Sequence, residues 1–100
     1  MNEQELEKEI QDKNLNAPRL TPALVDAEIV NVYYHRIPNS TMTLCVLTLK
    51  NGFQVTGESA AVSIANFDEL IGRKVAFDMA RNKIWALAGY QLKSELMKEN

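Results

Sequence analysis

Two side chains in this sequence are suited to nucleophilic or metal chemistry, His35 and Cys45, and each residue type occurs once. A structural or catalytic metal draws on several such ligands at short spacings, and the chain has no C-x-x-C or H-x-x-x-H run. By strand parity Cys45 sits among leucines, which reads as a packed or interfacial thiol. His35 reads as a strand residue near a turn. Glu58 and Asp68 are the carboxylates that a small hydrolase would use as acid or base. Glu58 stands in Thr56-Gly57-Glu58-Ser59, where a local account is sufficient: Gly57 permits a bend or a close backbone approach, and Glu58 and Ser59 end a strand. No G-x-x-x-x-G-K or G-x-G-x-x-G pattern offers a phosphate cradle. Arg73, Lys74, Arg81 and Lys83 spread around a helical wheel, as on a solvated helix, and form no nucleic-acid stripe.

The candidate ligand- or partner-binding set is therefore Thr56, Glu58, Ser59, Asn82, Lys83, Trp85 and Tyr90. It combines hydrogen-bonding groups with rings that can stack or anchor. Its members come from two blocks far apart in sequence. The structural alternative is that Trp85 and Tyr90 pack a turn between helices while Glu58 and Lys83 pair at the surface.

One hundred residues give a single domain, and 46% hydrophobic with 24% charged residues is a globular composition. A net charge of −2 gives no footprint for non-specific nucleic-acid binding. The lone cysteine fits a reducing cytoplasm, and no apolar run is long enough for a bilayer. A cytoplasmic chain without cofactor, metal or membrane contact is expected.

The elements that must position these residues form an α+β domain. Residues 1–20 read as an acidic arm and linker, in which Leu6 and Ile10 make too thin a stripe to hold a helix, and Asn14–Pro18 read as linker. The domain is expected over 21–100. Thr21-Pro22 pairs a hydroxyl N-cap with proline at the first helical position, for a short helix from Pro22 to Glu28. A strand over Ile29–Ile37 ends at Pro38-Asn39-Ser40. Two further strands flank Asn51-Gly52, for about three strands in all. A two-residue turn there opposes Lys50 to Phe53 and Thr48 to Val55, and faces Leu44, Val46, Phe53 and Val55 to the core. Cys45, Leu47 and Leu49 then need cover on the other face. A long helix is expected over 66–84 and a C-terminal one over 87–97, with Gly89 at a bend. The stripes Ile71/Val75/Met79 and Leu70/Phe77/Ile84 point in different directions. Either the helix is clamped within one subunit, or one stripe serves self-association. A homo-oligomer, most simply a dimer, is expected.

Leu44–Ser59, Asn66–Lys74 and Asn82–Leu92 together resemble a family of short tailed-bacteriophage and prophage proteins, named after gene product forty-nine of one phage and sixty-six of another. The similarity runs from about Thr21 to Leu96. Ala86 departs from it, since many members have proline after the tryptophan. The resemblance implies a phage or prophage origin and the host cytoplasm as location, but no reaction. The expected function is a non-enzymatic, oligomeric accessory protein that binds a host factor. The alternatives are a binder of a small nucleotide signal that counters host defence, and a small hydrolase.

Overall fold

The turn after Leu49 takes one residue more than a two-residue loop. In the computed structural model, which describes residues 2–15 and 17–99, the Leu49 N–H donates to the Phe53 carbonyl at 2.8 Å and the Gly52 N–H to the Leu49 carbonyl at 2.9 Å. Gly52 has φ +89°, and Asn51 Oδ1 accepts the Phe53 N–H at 2.9 Å. This is the three-residue hairpin loop whose left-handed residue forms a bulge, a place for glycine. It joins β2 (Met42–Leu49) to β3 (Gln54–Ala60), with Leu47 opposite Val55 and Thr48 opposite Gln54.

One residue of register reverses every side chain. Cys45, Leu47 and Leu49 are buried together with Val55, whereas Leu44 and Val46 lie on the outer face of the sheet and Phe53 at its rim. Of the four residues expected in the core, Val55 alone is there. The outer face is open, with Leu44 and Val46 shielded only by cross-strand neighbours such as Tyr33, His35 and Thr56.

β1 (Ile29–Arg36) pairs antiparallel with the other side of β2, in the order β1-β2-β3. Its turn is the expected one: Asn39 takes φ +57°, and the Ile37 N–H reaches the Met42 carbonyl at 2.9 Å. Thr21 caps α2 (Pro22–Ala27) by accepting the Leu24 N–H.

The two helical segments are one uninterrupted helix, α3 (Glu69–Glu99). Asp68 starts it, its Oδ1 accepting the Ile71 N–H at 3.0 Å. The helix runs unbroken through Gly89, and Ala86, where a proline would have interfered, continues it. α3 covers the inner sheet face through Ala76, Ala80 and Ile84. Small residues at 72, 76 and 80 let it come very close. A Cβ on Gly57 would overlap the Ala76 carbonyl oxygen and lie 2.5 Å from the Ala80 nitrogen, so β3 meets the helix backbone to backbone. Ser59 fixes the register there by donating its hydroxyl to the Gly72 carbonyl at 2.6 Å. Val25, Cys45, Leu47, Leu49, Val55, Ala76, Ala80 and Ile84 make the core.

The acidic arm is folded over 3–12 as α1 (Glu3–Asp12), capped by Asn2. Local propensity does not hold it. Arg81 of α3 donates to both Glu3 carboxylate oxygens at 2.9 and 3.0 Å and to Asp26 at 2.6 Å, while Arg19 grips Glu7. Leu6 and Ile10 face Trp85 across a small cavity shared with Leu20 and Pro22. Met1, Asn16 and Asn100, which fall in the expected arm, linker and domain end, lie outside the described residues.

Candidate functional site

At 1.5 Å per residue α3 is about 46 Å long, whereas its eight-residue strands span only about 26 Å. The face that covers the sheet therefore continues past it. Beyond Ile84 that face carries Leu87, Tyr90, Gln91 and Ser94, and with the β2–β3 loop it encloses a groove of about 390 Å³. Leu49 and Ile84 form its floor and Phe53 its opposite wall. Phe53 is 55% exposed and Tyr90 79% exposed. Asn51 and Glu28 stand among its polar groups. An apolar groove with two aromatic rings and a few hydrogen-bonding side chains is built to bind, with a carboxylate that disfavours an anionic occupant.

The structure does not gather the seven candidate residues into one concavity. Thr56 and Glu58 point from β3 to the open outer face of the sheet. Ser59 points the other way, onto α3. Asn82 and Lys83 are exposed along α3. Trp85 turns toward α1 and packs at the edge of the core. Tyr90 alone reaches the groove.

The sequence pattern does not mark Phe53, Leu87, Gln91 or Ser94, since a two-residue turn faces Phe53 inward and the other three fall in what reads as a separate helix. The usable signal is the continuation of the 76/80/84 face through 87 and 91.

The single-copy residues have structural environments. Cys45 is fully buried, and burial pushes its thiol above the ordinary range, which leaves it unreactive. His35 stacks on Tyr33 on the outer sheet face, ring centroids 6.5 Å apart. Asp68 caps α3 while Glu58 lies on the opposite sheet face, so the two carboxylates do not form an acid–base pair. Among the described residues no cluster of three or more His, Cys, Asp or Glu is placed to hold a metal, and no helix is long and apolar enough to cross a membrane.

The family model of the phage protein (N4 Gp49/phage Sf6 gene 66) family matches residues 20–96, which takes in every element except α1 and the last three residues of α3. No curated protein and no solved structure matches the chain.

Proposed function

This chain belongs to that phage protein family, and from there we propose that it acts by binding, as an accessory protein that occupies a host protein and catalyses nothing itself. The groove between the β2–β3 loop and α3 supports this reading. Exposed aromatic and aliphatic side chains converging on a preformed cleft are what protein partners use as anchor sites, and Phe53, Leu87 and Tyr90 supply them. Host cytoplasm is the corresponding place of action. A small ligand is the second reading, favoured by a volume within the range of ligand pockets. Glu28 makes a neutral or cationic molecule fit better than a nucleotide's phosphates.

Affinity capture from host lysate supplies candidate partners, each then titrated directly against wild type, Phe53→Ala and Tyr90→Ala. The expected result is a host protein whose affinity falls tenfold or more, about 1.4 kcal/mol, in both variants while their melting is unchanged. Equal binding by all three proteins refutes the groove. A small molecule released when the purified protein is denatured, and absent from both variants, overturns the first reading in favour of the second.

A further inference from the structure

Among the described residues, the flank of β3 meets little of the rest of the protein, in its outward backbone groups as in the side chains beside it. β3 is an edge strand. The antiparallel ladder starting at Leu49–Phe53 turns the N–H and C=O groups of Val55 and Gly57 toward β2, and those of Gln54, Thr56 and Glu58 away from the sheet. The Glu58 N–H meets only the thioether of Met79, at 3.4 Å, a weak acceptor. Proline, lysine and a bulge are the usual guards of an open edge, and β3 has none of them. The other edge, β1, is interrupted by a bulge between Ile29 and Asn31. Beside β3 runs the α3 stripe Ile71, Val75 and Met79, exposed by 64%, 48% and 43%. Of the charges that border the stripe on α3, Lys74 and Asp78 pair with each other at 3.0 Å.

We infer that a second copy of this chain covers the flank, its β3 pairing antiparallel with the first about a two-fold axis. The product is a six-stranded sheet with two α3 helices side by side on one face. A foreign strand added to the edge would satisfy the backbone and leave the helical stripe bare. A partner that covers both must carry a helix beside its own edge strand, and this chain does. The edge is also complementary to itself. An axis near Thr56 sets Glu58 against Gln54 of the other copy, carboxylate against amide, and keeps the two Glu58 carboxylates apart. The Cys45, Leu47 and Leu49 face has no part in it, since α3 buries it within the subunit. Seven extended residues give a flank about 23 Å long, and with a molecule 17 Å thick that is on the order of 400 Å² of plane section per copy. Both copies together give about 800 Å², short of the roughly 1,200 Å² of a stable pair, so the dimer is a weak one that dissociates in the micromolar range. The inference goes beyond the groove reading and does not depend on it.

Sedimentation equilibrium from low to several hundred micromolar tests it. Wild type is expected to pass from 11.3 kDa to twice that mass. Val75→Glu puts a charge on the stripe, and Thr56→Pro removes an outward amide that β2 does not use. Each should stay monomeric with an unchanged circular dichroism spectrum, and if Thr56→Pro does not fold, Val75→Glu decides alone. Amide exchange at Thr56 and Glu58 should slow as wild-type concentration rises. A wild type that is monomeric at the highest concentration overturns the inference. So does a dimer that survives Val75→Glu, or edge amides whose exchange ignores concentration.

Discussion

Replacing Gly57 by alanine adds one methyl group at the point where sheet and helix are closest. That methyl would overlap the Ala76 carbonyl oxygen and stand 2.5 Å from the Ala80 nitrogen and 3.0 Å from the Met79 Cβ. Backbone atoms cannot swing aside as a long side chain does, so α3 as a whole must retreat. Restoring contacts of roughly 3.5 Å takes a shift of about 1–1.5 Å, and a gap of that size forfeits about half of the dispersion energy across it. The loss falls on Leu47 and Val55 of the sheet and on Ile84, which α3 packs against that layer. Overpacking plus the opened interface should cost about 3–5 kcal/mol, a large share of the roughly 5–15 kcal/mol that holds a domain together. Urea unfolding followed by far-ultraviolet circular dichroism measures it. Gly89→Ala is the counterpart. It adds a methyl in a helix interior whose nearest neighbour, Leu20 Cδ1, is at an ordinary 3.6 Å, and should stabilise by about 0.5–1 kcal/mol. A Gly57→Ala protein within about 0.5 kcal/mol of wild type, well inside ordinary surface effects, would refute the backbone-to-backbone seat.

Other substitutions probe the remaining contacts. Thr43 is 2% exposed and its Oγ1 has no hydrogen-bond partner among the described residues, so Thr43→Val should stabilise by about 1 kcal/mol; a lower urea midpoint would show that the hydroxyl is bonded. Trp85→Ala should cost about 3 kcal/mol, because the ring joins the core to α1; unchanged melting would make it a surface residue. The hydrogen bond from Arg19 holds the Glu7 carboxyl below its ordinary 4.5. Its stabilisation is therefore complete above that value and is lost as pH falls through the depressed native value. Acid should loosen α1 over that interval, read by limited proteolysis within 3–12, and Glu7→Gln should already be loosened at neutral pH. Equal cleavage profiles for the two proteins would show that this pair does not hold α1.

The parts of the fold legible in the sequence are those fixed by local chemistry. Thr21-Pro22 started α2, Pro38-Asn39-Ser40 turned β1 into β2, and Gly57 marked a close approach. The hairpin was legible as a hairpin, but Asn51-Gly52 serves both a two-residue loop and the last two positions of a three-residue one. That ambiguity was enough to reverse the faces of β2. The break near Gly89 failed because a glycine costs a helix only about 1 kcal/mol, which continued packing offsets. The folded state of α1 was out of reach, since Arg81 and Glu3 lie 78 residues apart. The candidate site was the least legible part. Six of its seven residues lie on other faces, and the groove exists only because one continuous helix outruns the sheet.

The grip of Arg81 on Glu3 and Asp26 also makes one end of the chain depend on the other. β1 pairs with β2 and β2 with β3, each across a short turn, an arrangement of local contacts. α3 follows them in the chain and can dock only once β3 offers Gly57 as its seat. α1 is held by Arg81 of α3 as well as by Arg19 beside it in sequence. Residues 3–12 thus precede every strand of the sheet in the chain, yet part of what holds them lies on the element that follows all of the strands.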